Sequence, residues 1–337
     1  MISTISLAAE ALYRELRTNF YDAYEQARKT IDPRLGWFMD LGLPSDKAKE
    51  IYAYRLANPQ PVRVDKGNPI PVQGTAQKVF EVANTRWGIG CQWHYDDMQD
   101  DQTGNLAGDA RSYGEGFQLI PERVGFQILT GSTDADLLES VPNAPDGAAL
   151  FATTDGAGSN RFGVANGNLL TGNGVATVAD VQSDIYSAIN QFSQMLDGEG
   201  RQLWPDSIVD QGVGILCGYG NRQVFEKAIG SDLAAEVILN AAGSENVAAA
   251  AIDNVLKRFR GAELWATHNI TDNDFFVCLK GCKKKPMFQQ AREPVMELKG
   301  DFAGSDHARH TLVYELLWTD RNGYGVFLPY GIVKVNN

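Results

Sequence analysis

FEVANTRWGIGCQWHYDDMQDDQTGNLAGDARSYGEGFQLIPERVGFQILTG, residues 80–131, is the stretch on which the fold of this 337-residue chain turns. It opens with a period of two. Val79, Glu81 and Ala83 fall on one side, Phe80 and Val82 on the other, and Trp87, Ile89, Cys91 and Trp93 continue the alternation, which predicts strand over residues 76–95. An acidic run follows, Asp96-Asp97-Met98-Gln99-Asp100-Asp101, and then a turn signal at Gln102-Thr103-Gly104. Beyond it Leu106, Ala110, Tyr113, Phe117, Ile120, Val124 and Ile128 recur at helical spacing, one apolar stripe on a long helix. Pro121 lies inside that helix and predicts a kink or break near residues 119–120. Gly131 closes it. The stretch holds no nucleophile, metal constellation or phosphate loop; it reads as a device for positioning a surface against another copy of the chain.

Upstream, Leu7, Leu12, Leu16, Phe20 and Tyr24 predict a helix over residues 4–29, ended by Pro33. A second short helix is expected around residues 45–56, with Ser45 as N-cap. Residues 58–75 carry four prolines and two glycines, which excludes helix and central strand and leaves a long loop or loose hairpin.

Downstream, residues 132–177 are turn-rich, with an apolar island at 148–151. Thr177 and Asp180 then open a helix striped by Val178, Val181, Ile185, Ile189, Phe192 and Leu196 and stopped by Gly198. Residues 208–217 read as a buried strand, 222–239 and 247–259 as helices, and 275–279 as a short strand. From Pro286 the pattern is β, with long runs at 311–318 and 324–335 joined by a turn, Asp320-Arg321-Asn322-Gly323. Strands and helices mix without βαβ alternation, so the fold class is α+β.

Composition narrows the function. The chain is 44% hydrophobic, enough for a sizeable core, and its 30 basic and 42 acidic residues give a net charge of −12. A surface that grips nucleic acid needs the opposite balance. The N-terminus lacks a basic leader region, and no run of about 18 apolar residues predicts a membrane span. The cysteines, Cys91, Cys217, Cys278 and Cys282, are too few and scattered for a disulfide framework.

Motifs for chemistry are weak. Cys278-x3-Cys282 lacks a second ligand pair for zinc. His307 and His310 stand in a Gly/Ser/Asp loop entering a strand, where residues three apart lie on opposite faces. Gly212-Val213-Gly214 with Gly218 and Gly220 misses the dinucleotide fingerprint by one place. The aspartates at 96–101 lack the alternation of a calcium loop and read better as an exposed acidic loop ahead of the helix. Lys280, Lys283, Lys284 and Lys285 form the opposite charge run, a solvated face or, in a self-assembling protein, the partner of a neighbour's acidic loop. Catalytic and metal residues and cofactors are therefore expected to be none.

One ordered set of features carries a resemblance. A helical arm leads to Asp-Leu-Gly-Leu-Pro (residues 40–44), then to the Pro/Gly-rich loop and its returning strand. Asp100-Asp101-Gln102-Thr103-Gly104 and the long helix with its internal proline follow. Next come Asp146-Gly147-Ala148-Ala149-Leu150-Phe151 and Asn166-Gly167-Asn168-Leu169, then the helix ending in residues 197–203. Lys285-Pro286 with Gln289 and Arg292, and Arg321-Asn322-Gly323-Tyr324, complete it. The set, from about Asp40 onward, resembles the Mu-like major head subunit (gpT) family of tailed bacteriophages, within the class of capsid proteins with the HK97-like fold. Thr154-Asp155 departs from it, standing where relatives often have a histidine, so no ligand role is attached there.

The resemblance implies an architecture: an N-terminal arm (1–57), an extended E-loop (58–99), a peripheral P-domain with its spine helix (100–177), an axial A-domain (178–285), P-domain strands (286–320) and a return to the A-domain (321–337). It implies a structural, non-enzymatic subunit that assembles with itself into hexamers and pentamers of an icosahedral head. Scaffold, portal and decoration proteins would be partners, and dsDNA would be enclosed without sequence-specific binding. The chain would be made in the bacterial host cytoplasm and end in the virion. Candidate inter-subunit residues are Lys66 and Asn68 in the E-loop, Asp96, Asp97, Asp100 and Asp101, and Lys283, Lys284 and Lys285. Some relatives of this fold form Lys–Asn isopeptides; Lys66 is the donor position that this would use, and no partner Asn is identified. Rival readings are an encapsulin-like shell around a cargo enzyme, a metal-dependent α+β hydrolase built on residues 96–101, and a phage tail or decoration component.

Overall fold

The computed structural model describes residues 2–55, 63–64, 77–94, 96, 100, 105–209, 211–230, 233–238, 248–253, 261–298 and 313–337. Helix α1 (Ile2–Thr30) follows its apolar periodicity, and Asp32 caps a 3-10 turn at Pro33–Trp37 that leads into β1 (Met39–Pro44). Of residues 45–56, expected as helix, 45–55 instead form a turn and strand β2 (Lys49–Arg55), and Leu56 lies outside the described residues. The reason is local. Glu50 Oε1 accepts from Ser45 Oγ at 3.1 Å, Asp46 N at 2.9 Å and Lys47 N at 3.0 Å, so Ser45 closes a turn rather than capping a helix. The alternation in KEIYAYR then aims Tyr52 and Tyr54 one way, where both rings meet Phe80 of β3 (Gln77–Ala83). β2 and β3 pair antiparallel from Lys49↔Ala83 to Arg55↔Gln77, and β4 (Thr85–His94) follows.

Helix α2 (Asn105–Thr130) buries Leu106, Ala110, Phe117, Val124 and Ile128 of the expected stripe, whose Tyr113 and Ile120 are half-buried. The expected break at Pro121 does not occur. Pro121 is itself buried, and the packing of Phe117 and Val124 on either side offsets the one donor it lacks. Gly131 ends the helix at φ +76°, its N–H donating to Gln127 O at 2.9 Å.

β5 (Leu169–Thr171) precedes α3 (Val178–Gln194), which Thr177 caps by accepting from Asp180 N. α3 ends at Gln194, ahead of Gly198, because Met195 is already extended and buried under the sheet. The strand expected at 208–217 is divided into a short helix α4 (Asp206–Val209) and β6 (Val213–Gly218), with Gly212 at φ +101° between them. α5 (Arg222–Gly230) covers only the first part of the helix expected at 222–239; β7 (Leu233–Ile238) lies within the rest of it. β8 (Ala248–Asp253), paired antiparallel with β7, lies within the helix expected at 247–259, of which residues 247 and 254–259 are outside the described residues. Helix propensity of alanine is worth under about 1 kcal/mol per residue and yields to this ladder.

β9 (Glu263–Thr267), β10 (Phe275–Leu279), β11 (Met287–Leu298), β12 (Val313–Val326) and β13 (Ile332–Asn336) complete the chain. The turn expected at 320–323 is absent: β12 runs straight through it. Asn322 and Gly323 pair with Ala291 and Gln290 of β11, and a Cβ on Gly323 would lie 2.6 Å from the Ala83 carbonyl. The glycine serves close approach, not reversal.

Two larger sheets result, in orders β1-β11-β12-β4 and β5-β13-β10-β6-β9. The five-stranded sheet is buried on both faces. Val213, Ile215, Phe275, Val277 and Val333 meet α3 and α5; Leu216, Phe276, Cys278 and Ile332 meet Trp37, Phe38 and the C-terminal half of α2. This explains the unbroken apolar runs of β6 and β10. Gly214, part of the glycine cluster, lies under the Trp37 ring, with space for no side chain. The four-stranded sheet packs Leu316 and Trp318 against α1 and the N-terminal half of α2.

The α1–α2 crossing rests on Gly114, where an added Cβ would come 2.4 Å from the Phe20 carbonyl oxygen. Phe20 itself stacks on Trp318 at 4.1 Å. Gly114→Leu is expected to lift α1 from this seat, costing about 2–3 kcal/mol and making α1 cleavable by limited proteolysis. Gly116→Ala, where a Cβ meets nothing within 4 Å, is expected to leave α1 protected and to stabilise α2 by about 1 kcal/mol. Equal protease resistance of the Gly114→Leu variant and the parent would refute this account of the seat.

Candidate interaction surfaces

Three places on the molecule combine order with exposed chemistry. The first is the β2–β3 ribbon. Its inner face, Tyr52, Tyr54, Phe80 and Val82, packs on Phe288 and Phe327, and Tyr52 Oη donates to Gln290 Oε1 at 2.8 Å. Burial raises the pKa of both tyrosines. The outer face is left apolar and open: Ile51 is 66% and Val79 68% exposed. Ala53 lies directly opposite Val79, and Lys49 and Glu81 flank them as an ion pair at 3.9 Å. A two-stranded ribbon with a naked apolar face is marginal in water, so this face suits a partner.

The second is the irregular segment between α2 and β5, held by one buried side chain. Arg161 is 1% exposed. Its Nε and Nη2 donate to the two carboxylate oxygens of Asp146 at 2.7 and 3.0 Å, a bidentate pair. Its Nη1 donates to Ala149 O, Leu150 O and Asn168 Oδ1. Asn168, fully buried, returns Nδ2 to Leu150 O and reaches the C-terminal strand at Ile332 O. Burial lowers the guanidinium's pKa and Asp146 raises it again. Next to Arg161, Phe162 holds φ +56°, the one described non-glycine residue with positive φ. Asp146, Arg161 and Phe162, with Tyr54, Lys78 and Lys284, line a cleft of about 800 Å³ at the root of the ribbon. Asp146 and Asn168 stand in segments quoted for the resemblance; Arg161 had no signal of its own, because its partners lie far apart in sequence.

The third lies on the outward face of the four-stranded sheet. Arg321 stands directly opposite Arg86 on β4 and Glu293 on β11. Glu293 is the carboxylate shared by Arg86 at 3.6 Å, Arg292 at 3.9 Å and Arg321 at 3.9 Å. Arg292 and Arg321 belong to the quoted set; Arg86 and Glu293 were not singled out by any sequence pattern.

The sequence-derived candidates are distributed differently. Asp96 and Asp100 are exposed, and Asp96 approaches His94 Nδ1 at 3.3 Å. Asp97, Asp101, Lys66, Asn68, His307 and His310 lie outside the described residues. The lysine run is not one patch. Lys280 is tied to Glu263 at 2.5 Å and to Gly261 O, Lys285 Nζ donates to Lys280 O, and Lys284 sits over the Phe327 ring. Lys283 and Lys284 remain exposed.

For chemistry the site residues offer little. Among the described residues no three His, Cys, Asp or Glu side chains come together. Burial pushes the thiols up, Cys217 to about 12 and Cys282 to about 11, and raises Cys278 further, so none is a ready thiolate. Cys282 instead donates to Lys284 O.

No family model matches the chain, and no curated protein matches it in sequence. Solved structures do match its fold. A Mycobacterium phage Patience structure aligns over 94% of this chain and 86% of its own at 9% identity and TM-score 0.55. The capsid of an empty GTA particle aligns over 90% and 89% at 10% identity and TM-score 0.53. The capsid of cyanophage P-SCSP1u aligns over 88% and 85% at 10% identity and TM-score 0.51. The class is thereby defined: the chain has the α+β HK97-like capsid fold.

Proposed function

We propose that this chain is the major capsid subunit of a tailed bacteriophage, a structural protein that assembles with copies of itself. The observation that carries the reading is the fold, matched nearly end to end with phage and GTA capsid chains. Fold alone does not fix function, and the surfaces add to it. A ribbon with an exposed apolar outer face suits a protein that works by contact. Many weak contacts, multiplied over a shell, give a stable particle.

In this reading α1 and the segment to residue 57 form the N-terminal arm, and residues 58–99 the E-loop, whose ribbon begins in the arm at β2. α2 is the spine of the P-domain, joined by β4, β11 and β12. The five-stranded sheet with α3 and α5 is the A-domain that meets its copies in hexamers and pentamers of an icosahedral head. Residues 321–326 extend β12, so the return to the A-domain begins at 327, with β13, rather than at the expected 321. The Mu-like head subunits are the family proposed. A subunit with net charge −12 encloses dsDNA without holding it by its phosphates. Scaffold, portal and decoration proteins would complete the virion.

The test is negative-stain electron microscopy of the purified chain with sedimentation velocity, alone and with a macromolecular crowder. Closed shells, tubes or capsomer rings are expected. A monodisperse monomer or dimer under every condition would overturn the reading of a self-assembling subunit.

A further inference from the structure

We propose that Arg86, Arg292 and Arg321 form a receptor for the acidic segment that carries Asp96 and Asp100 in a second copy of this chain. The inference rests on the reading of the chain as a shell subunit. Arg86 and Arg321 are a directly opposed cross-strand pair, an arrangement that repels unless an anion sits over it. Irregular register on either side of Glu293 brings Arg292 to the same carboxylate. One carboxylate therefore serves three guanidiniums, at 3.6–3.9 Å, longer than hydrogen bonds. Two positive charges are left over. Nη1 of Arg292 is buried with no hydrogen-bond partner among the described residues. Arg86 is 54% exposed and Arg321 25%, so the patch is open to a ligand.

The chain cannot neutralise this patch by itself with Asp96 and Asp100. Arg86 stands near the start of β4, and the two aspartates follow its end. At about 3.3 Å per residue the strand holds the two ends roughly 30 Å apart. One rigid strand thus has a basic end and an acidic end. Such polarity is satisfied when the acidic end of one copy meets the basic end of the next, a head-to-tail contact that forms a ring where its rotation closes. Guanidinium forks favour carboxylates through paired hydrogen bonds, which the lone Glu293 does not provide.

The experiment is a charge swap in the full-length chain, read by the critical concentration for assembly. The wild-type chain is measured first; if it does not assemble under any condition, the shell reading itself fails. Given assembly, Arg86→Glu is expected to raise the critical concentration at least about tenfold, and Asp96→Lys with Asp100→Lys to do the same. The combined variant is expected to recover most of the loss. Urea midpoints of each variant, with Arg86→Gln as a milder second variant, separate loss of contact from loss of fold. Assembly of the folded single-site variants at the wild-type concentration would overturn the proposal and leave the shell reading intact. Failure of the combined variant to recover would overturn the pairing.

Discussion

Arg161→Met is expected to destabilise the chain by about 3–5 kcal/mol, the largest loss of any single polar substitution considered. The substitution keeps the stem of the side chain and removes every donor. Asp146, 12% exposed, then keeps its charge without its bidentate partner, and the Ala149 and Leu150 carbonyls lose a donor. Arg161→Lys is expected to rescue little, because one ammonium cannot reach Asp146, two carbonyls and Asn168 with the geometry of a fork. Asp146→Leu added to Arg161→Met is expected to recover part of the loss by removing the stranded carboxylate. Urea unfolding is the measurement. A loss below about 1 kcal/mol for Arg161→Met would place this pair with solvent-screened surface bridges and refute its role as the clamp of residues 146–168. In a shell subunit the same variant is expected to assemble poorly, since the clamped segment lines the root of the ribbon.

How much of this was legible beforehand depends on whether a signal is local. The stripe of α2 could be read because its apolar residues recur at one period, and Thr177 with Asp180 marked α3 within four positions. Residues 45–55 could not be read, because the seven-residue run KEIYAYR fits either period until β3 arrives to pair with it. The glycine at 323 misled for the opposite reason. A strong local turn signal, Asn-Gly, was outweighed by two ladders, β11 and β4, that hold β12 straight. The candidate surfaces fared according to the same rule. The acidic run is contiguous and visible in the sequence. The three arginines come from three strands and meet only through pairing and irregular register, and Arg161 draws its partners from residues 146, 149, 150 and 168. The lysine run shows the converse: close together in sequence, it is not one patch in the fold, because Lys280 and Lys285 are held by partners within the chain.

Asp320→Asn is expected to stabilise the chain at pH 8 and to have little effect near pH 4. Asp320 is buried on β12, opposite Trp87 of β4. Asn322 Nδ2 donates to its Oδ2 at 2.6 Å; its Oδ1 has no partner among the described residues, and neither has Trp87 Nε1. Tyr24 of α1 and Tyr324 feel its charge, which helps to raise their own pKa values after burial. Burial pushes the Asp320 carboxyl up to about 7, against a partial pull downward from Asn322. The sign follows from the linkage. The folded state holds the proton more tightly than the unfolded chain does, so the contribution is complete below the unfolded pKa of 3.8 and is lost as pH rises through about 7. With about 1.4 kcal/mol per pKa unit, the loss between pH 5 and pH 8 is about 2–3 kcal/mol. The asparagine keeps the shape and carries no charge, so the difference between the urea stabilities of parent and variant should be small near pH 4 and widen by a further ~2–3 kcal/mol between pH 5 and pH 8. Other raised carboxyls, Asp184 and Glu122, titrate in both proteins and cancel in the difference. A difference that stays flat with pH would mean that Asp320 ionises as freely in the fold as in water. The site would then owe its place beneath α1 to shape alone, and the seat of the N-terminal helix on Trp318 would be indifferent to acid.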